Sequence, residues 1–354
     1  MMSVARPVHS LARGLRTVPA LILPIAAGGA TCVMLAVLSG VQPLAVIVAI
    51  WDGAWGSTGS MVTTVTKVTP LLLTGLAVAA AYQARLLNIG CEGQLTLGAL
   101  SAAAFAVTAG SLPWPVLLPL TLLVGAAAGG IWALPAIWLR QKRGVHEVIS
   151  TLLLNYLALY LADYLVLGPL GDGTVMGRTP PISPEAALTP LLQVGTQRLT
   201  AAPLIALGLS LAFQLWLGRT AWGFEATATG HNPFGAQAAG IAAASWQRRI
   251  FVFSGALAGL AGALEVVAVH HRFYRAFSPG YGFDGVTAAF LVKATPGWLW
   301  LSSLLLASLR AADKWLQLMV GISPSIILVI QAILLLAVAC QWRLPALRRR
   351  KEIP

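Results

Sequence analysis

The chain has 354 residues, of which 58% are hydrophobic and only 10% are charged, and its mean hydropathy is +0.80. Soluble domains carry about 25% charged residues, so this composition excludes a soluble globular protein and predicts an all-α polytopic membrane protein. The net charge of +12 is not accompanied by an RNP, zinc-finger or basic-helix pattern. We therefore assign it to basic residues retained on the cytoplasmic side of a membrane and predict no nucleic-acid partner.

The sequence divides into about ten apolar segments, several of them near the length that a transmembrane helix needs. If both termini are cytoplasmic, most of the 23 Lys and Arg residues fall on the cytoplasmic side, as the positive-inside rule expects. We predict a cytoplasmic N-terminal segment at 1–17, a transmembrane domain at 18–342 and a basic cytoplasmic tail at 343–354. The segments are 18–40, 67–87, 91–111, 114–139, 147–168, 200–217, 249–270, 281–293, 297–312 and 324–342.

The eighth and ninth segments are short, and Ala294-Thr295-Pro296-Gly297 between them predicts a tight turn. Paired short segments are typical of discontinuous or re-entrant helices. Glycine- and alanine-rich stripes at 125–130 and 255–263 predict close helix packing.

Between the second and third segments lies a polar stretch, NIGCEGQ at 88–94. Its two glycines predict a break in the helix, and ionisable groups at such a break usually mark a pathway or a binding site. We predict that Glu92 lines or gates a pathway; the alternative is a carboxylate that caps the third span. Asn88 and Gln94 have amides that could bind a solute, or could equally hydrogen-bond between helices.

A second motif, Gly282-Phe283-Asp284-Gly285, repeats the G-x-acid-G pattern of residues 90–93. Each motif precedes a helix, and transporters are often built from inverted repeats whose broken helices meet at the substrate site. We treat Glu92 and Asp284 as equivalent positions of such a repeat, a hypothesis that depends on four residues.

Two further residues are candidates for the pathway. Tyr281 could stack on a sugar or a base, or it could be an interfacial aromatic. Glu265 lies within the seventh segment, where it lines the cavity or pairs with His270, His271 or Arg272. The His and Cys residues lack metal-ligand spacing, so no metal site is predicted, and the chain has no nucleophile–base pair that would predict catalytic residues.

Two longer connections are predicted outside the spans. Residues 169–198 are rich in Pro and Gly at their start and form an external loop. Residues 218–248 form the longest cytoplasmic loop, in which Asn232-Pro233 predicts the start of a short helix over 234–244. Such a helix is either a connection or a docking element for a soluble partner.

The stretch at 88–94 resembles the NIGxEGQ motif of permease subunits of binding-protein-dependent ABC importers, the simple-sugar and nucleoside uptake group. Four other stretches are similar to the same family and occur in its order. They are TPLLLTGLAV at 69–78, GVHEVISTLLLNY at 144–156, SGALAGLAGALE at 254–265 and SPGYGFDG at 278–285.

This resemblance implies a permease of the bacterial inner membrane that imports a nucleoside or a simple sugar by alternating access. It implies a second permease, identical or paralogous, two ATP-binding subunits that hold ATP–Mg, and a substrate-binding lipoprotein or periplasmic protein. The chain has no GxxxxGK[ST] phosphate loop, so we expect neither a cofactor nor ATP hydrolysis on it. The alternative is a secondary transporter driven by an ion gradient, with Glu92, Asp284 and Glu265 as the relay.

The resemblance also implies that residues 223–241 form the coupling helix that docks onto the ATPase. Where the family typically has GFELRAVGxNPEAARYAGI, this chain has GFEATATGHNPFGAQAAGI. The Glu and Arg that this pattern has at positions 234 and 237 are Phe and Gln in this chain, so this surface has lost charge. The residues kept, and predicted to serve coupling, include Gly223, Glu225, Gly230, Asn232, Pro233 and Gly240.

Overall fold

A computed structural model describes residues 17–38, 40–321 and 325–349 of the chain. The fold is helical, as the composition predicts. The longer helices are α1 (Thr17–Leu38), α2 (Pro43–Trp55), α3 (Thr58–Gln83), α4 (Cys91–Thr108), α5 (Trp114–Arg143), α6 (Glu147–Leu167), α7 (Ala202–Arg219), α8 (Ala221–His231), α9 (Pro233–Ala238), α10 (Ala243–Glu265), α11 (Tyr281–Leu291), α12 (Leu299–Ala311) and α13 (Ser325–Arg349).

Short elements complete the fold. Two strands, β1 (Leu192–Val194) and β2 (Gln197–Leu199), form an antiparallel hairpin in the predicted external loop. Single helical turns occur at Pro184–Ala186, Pro296–Trp298 and Asp313–Trp315, and wider π-helical turns at Val266–His270 and Leu316–Val320.

Every predicted apolar segment coincides with a helix, but fewer helices than ten qualify as single spans. Among the described residues, α3, α5, α6, α7 and α10 are long and apolar enough, and α11 with α12 gives a sixth if that bent pair is one span. The apolar parts of α1, α2 and α13 that the structure describes are too short to qualify as single spans. Helix α4 is not among the qualifying helices. It is enclosed by other helices, so its surface does not have to be as apolar as that of a helix that faces lipid.

The short eighth and ninth segments form the predicted discontinuous pair. Helices α11 and α12 are bent by 106° relative to each other. The turn between them begins at Lys293 and Ala294, which both have left-handed backbone conformations, with φ of 54° and 52°. The predicted tight turn is therefore confirmed, beginning one residue earlier than the sequence indicated.

Helix α3 is longer than the predicted segment at 67–87. It begins at Thr58, because the Ser57 side chain accepts a hydrogen bond from the Ser60 N–H at 3.1 Å and so caps the first turn. It ends at Gln83, and residues 84–90 form the predicted break before α4.

The centre of the fold is formed by α4, α5 and α10, which pack main chain against main chain. A methyl group at Gly129 would overlap the main chain of Gly259, and one at Gly262 would overlap the carbonyl oxygen of Leu95. Small residues allow helix axes to approach this closely inside a membrane. The packing predicted from the stripes at 125–130 and 255–263 is therefore confirmed.

Candidate functional site

The break between α3 and α4 is held by a closed network of side-chain amides. Asn88 donates to Gln94 Oε1 at 2.8 Å and to Ser254 Oγ at 2.9 Å, and its oxygen accepts from the Gly90 N–H and from Gln94 Nε2. Ser254, on α10, donates in turn to the Ala77 carbonyl at 2.6 Å. These bonds occupy both hydrogens and both lone pairs of the Asn88 amide. The geometry favours the interhelical alternative for Asn88 and Gln94, and solute binding stays a prediction.

Helix α6 supports the same break from the other side. The amide of Asn155 donates to the Ile89 carbonyl at 2.8 Å and accepts from the Gly93 N–H at 2.9 Å. Glu147, the first residue of α6, accepts from the Leu87 N–H at 3.2 Å. Polar main-chain groups exposed by the break therefore find partners inside the protein, as a break at membrane depth requires.

The two G-x-acid-G motifs lie against each other. The Glu92 carboxylate, in the first turn of α4, accepts a hydrogen bond from the Gly282 N–H in the first turn of α11 at 2.7 Å. A Cβ atom at Gly282 would overlap the main chain of Glu92, so only glycine fits there. A negative carboxylate near two helix N-termini is favourable. The contact is compatible with an inverted repeat, which stays a hypothesis.

Asp284 is engaged in an ion pair with Arg310 of α12. The Arg310 Nε donates to Asp284 Oδ2 at 2.7 Å, and the two side chains are 7% and 5% exposed. Arg310 also donates to the Pro279 carbonyl at 3.2 Å. The pair connects the start of α11 to the end of α12, and so closes the bent helix pair.

The remaining pathway candidates lie beside this junction. Tyr281 accepts a hydrogen bond from Lys67 of α3 at 3.4 Å, and the Lys67 ammonium lies 5.9 Å from the centre of its ring. Of the three partners proposed for Glu265, His270 is the one in contact, with its Nε2 3.5 Å from Glu265 Oε2.

The structure thus brings Glu92, Tyr281 and Asp284 together at the start of α11. All six predicted pathway residues are buried: Asn88, Glu92, Gln94, Glu265, Tyr281 and Asp284. In this conformation they contact protein, so their role in translocation stays a prediction. No group of three His, Cys, Asp or Glu side chains that could bind a metal occurs among residues 17–38, 40–321 and 325–349.

Sequence reasoning did not identify four polar partners of this site, namely Lys67, Asn155, Ser254 and Arg310. Arg310 gave a usable signal, since a basic residue inside the apolar segment 297–312 is costly unless it is paired. Asn155 lies inside the stretch at 144–156 and Ser254 inside that at 254–265. Their roles depend on which helices pack together, and the spacing of residues does not contain that information.

The predicted coupling segment forms α8 and α9 with an intervening Asn232 cap. The Asn232 side chain accepts from the Gly235 N–H at 3.0 Å, and Pro233 begins α9. The predicted helix start is therefore confirmed, but the helix ends at Ala238 and not at 244. Gly240 has a φ of +83°, which ends the helix before α10 begins at Ala243.

Other members of the predicted coupling set attach this segment to the membrane helices. Gly230 packs on the carbonyl of Gln83 at the end of α3, and Gly223 packs on the end of α7, with no space for a side chain at either glycine. Glu225 accepts a hydrogen bond from the indole N–H of Trp246, on α10, at 2.6 Å. The outward side carries three exposed aromatic residues: Trp222, Phe224 and Phe234.

Comparison with known proteins places these features in a family. Residues 60–339 match the family described as the permease component of branched-chain amino acid transport systems. A glucose ABC transporter permease protein of Haloferax volcanii is 36% identical over 76% of this chain and 73% of its own. A guanosine ABC transporter permease protein of Bacillus subtilis is 34% identical over 91% of this chain and 92% of its own. A nucleoside ABC transporter permease protein of Lactococcus lactis is 29% identical over 82% of this chain and 81% of its own. No solved structure matches the chain.

Proposed function

Since the chain belongs to this permease family and is a membrane subunit of an ABC importer, we propose that its cargo is a nucleoside, with a simple sugar as the second candidate. The names of the relatives support this order, since guanosine and nucleoside permeases match along most of both chains and a glucose permease matches along about three quarters. Import would occur by alternating access, with the junction of α4 and α11 beside the pathway.

Permeases of this family work with ATP-binding subunits and a binding protein. For this chain we propose a second permease, identical or paralogous, two ATP-binding subunits, and a lipoprotein or periplasmic protein that delivers the solute. ATP–Mg is bound and hydrolysed on the ATP-binding subunits, and this chain carries no cofactor. We place the importer in a bacterial inner membrane with both termini of this chain in the cytoplasm.

We propose that α8 and α9 dock onto the ATPase, and their exposed aromatic surface is the observation that carries this proposal. Trp222, Phe224 and Phe234 are large apolar residues on a segment that is otherwise anchored to α3, α7 and α10. Aromatic residues in such positions often provide most of the binding energy of an interface. The aromatic surface would take the place of the charges absent at 234 and 237, so the ATPase that docks here would have an apolar cleft.

Hydrogen bonds provide a route from α8 and α9 to the site. Movement of α8 would be transmitted to α10 through the hydrogen bond between Glu225 and Trp246. Ser254 of α10 contacts Asn88 at the break, and four residues further on Glu92 contacts the start of α11. Docking and release of the ATPase would therefore shift α10 and displace the junction between α4 and α11.

An ion-gradient transporter with Glu92, Asp284 and Glu265 as the relay is not favoured. The carboxylate of Asp284 is neutralised by Arg310, and the family acts with ATPase subunits. The test is uptake of labelled nucleosides and sugars into proteoliposomes that contain the assembled importer, with and without internal ATP. We expect ATP-dependent uptake of a nucleoside. Uptake that does not require ATP and stops when the proton gradient is dissipated would overturn the proposal.

A further inference from the structure

Three tyrosines form an exposed stripe along α6. Tyr156, Tyr160 and Tyr164 follow each other at intervals of four residues, so they lie on one face of the helix. Their exposed fractions are 54%, 72% and 70%. The stripe contains three of the six tyrosines of the chain. None of the three hydroxyls has a hydrogen-bond partner within the described part of the protein.

The position of the stripe along α6 places two of these hydroxyls deep in the membrane. Helix α6 has 21 residues, which at about 1.5 Å per residue matches a hydrocarbon core of about 30 Å. Tyr156 lies at the middle of the helix, and Tyr160 lies one turn further on. Neither is close enough to an end for its hydroxyl to reach the headgroups, as interfacial tyrosines do.

Other exposed helices of the same protein follow the pattern expected for contact with lipid. Helix α5 has exposed tryptophans at Trp114 and Trp138, and the large residues exposed between them are aliphatic. Those exposed on α7 are all leucine: Leu204, Leu211 and Leu215. Only α6, among these three helices, presents hydroxyl groups at the depth of the hydrocarbon core. A hydroxyl that faces lipid there lacks any partner, which is unfavourable.

We infer that the tyrosine stripe of α6 is the surface that packs against the second permease of the importer, where the partner chain covers the three hydroxyls. This inference depends on the proposed pairing of two permeases. Tyrosine suits such an interface, because its ring provides apolar contact area and its hydroxyl can bond across helices. The opposite side of α6 is already occupied, since Asn155 and Ala158 contact the start of α4.

The test is site-specific photo-crosslinking in the importer assembled in membranes. A benzophenone amino acid replaces Tyr160 in one variant and Leu153, which is 64% exposed on the same side of α6, in another. The matched control replaces Leu123 of α5, which is 63% exposed. After irradiation, we expect covalent permease–permease products from positions 160 and 153, identified by mass spectrometry, and none from position 123.

Three results would overturn the inference. Products with lipid alone at positions 160 and 153, in a complex that contains two permeases, would overturn it and leave the proposed function intact. Equal permease products from position 123 would do the same, since the contact would then not be specific to α6. A purified complex with a single permease would overturn both the pairing and this inference.

Discussion

The carboxylate of Glu92 accepts a hydrogen bond from the main-chain N–H of Gly282, across 190 residues of sequence and at a distance of 2.7 Å. The bond joins the first turns of α4 and α11, where unpaired N–H groups carry partial positive charge. A single side chain therefore stabilises the N-termini of two helices that each begin at a break.

Removal of the Glu92 carboxylate should destabilise the protein. In Glu92→Ala the Gly282 N–H is left buried without a partner, which costs about 1–3 kcal/mol. Glu92→Gln retains an acceptor oxygen and should cost less. The control is Glu185→Ala, an exposed glutamate in the loop at 169–198. Thermal unfolding in detergent measures the difference, and equal stability of the two alanine variants would contradict the role given to Glu92.

Breaking the ion pair between Asp284 and Arg310 should have a large effect, because both side chains are buried. Arg310→Met leaves an unpaired carboxylate, and we expect a loss of about 3–5 kcal/mol. The double variant Asp284→Leu/Arg310→Met removes both charges and should recover much of that loss. The exposed pair Asp163–Arg275, at 2.9 Å, is the control, where Arg275→Met should cost about 0–1 kcal/mol.

A double-mutant cycle on unfolding free energies evaluates the Asp284–Arg310 pair. Additive losses from the two single substitutions would show that the side chains do not act as a pair.

A methyl group at Gly259 should disrupt the packing of α10 against α5. The added carbon would overlap the main chain of Gly125 and Gly129, so Gly259→Ala forces the helices apart and should cost about 1–3 kcal/mol. Gly208 of α7 has nothing within 4 Å of the same position, and Gly208→Ala should be neutral or slightly stabilising. A Gly259→Ala variant that unfolds at the temperature of Gly208→Ala would refute the close packing.

The docking surface can be tested without disturbing the fold. Phe234 is 84% exposed on α9, so Phe234→Ser should leave thermal stability unchanged. If Phe234 inserts into the ATPase, the change should weaken ATPase binding about tenfold or more, which corresponds to about 1.4 kcal/mol. Val175, 97% exposed in the loop at 169–198, provides the control Val175→Ser. Co-purification of the ATPase measures its binding to both variants. Equal amounts of ATPase retained by Phe234→Ser and Val175→Ser would exclude Phe234 as an anchor.

Much of the fold could be predicted from the sequence, because apolar segments and glycines report local properties. The break before Cys91, the bent pair α11 and α12, and the cap at Asn232 all followed from residue types and spacing. The number of spans stays a prediction, since length and hydropathy alone do not distinguish a helix enclosed by protein, such as α4, from one that faces lipid. The end of α9 was placed too late, because alanines fit the helix on either side of Gly240 and its positive φ could not be predicted.

The candidate site was predicted only in part. The acidic residue of each G-x-acid-G motif was identified, but not the ion pair that holds Asp284. That pair depends on the 106° bend, which brings the end of α12 back to the start of α11. A basic residue in an apolar segment shows that a partner exists, whereas only the three-dimensional arrangement shows which residue it is.

The glycine contacts among α4, α5 and α10 limit where the protein can change shape. Helices that meet through side chains can slide, because the side chains adopt new rotamers and keep contact. Main chain packed on main chain has no rotamers to exchange, so sliding would force the helices apart. These three helices should therefore move as one rigid body. Opening and closing of the pathway would then occur at its edges, where α11 and α12 meet Glu92 and where α6 presents its tyrosines.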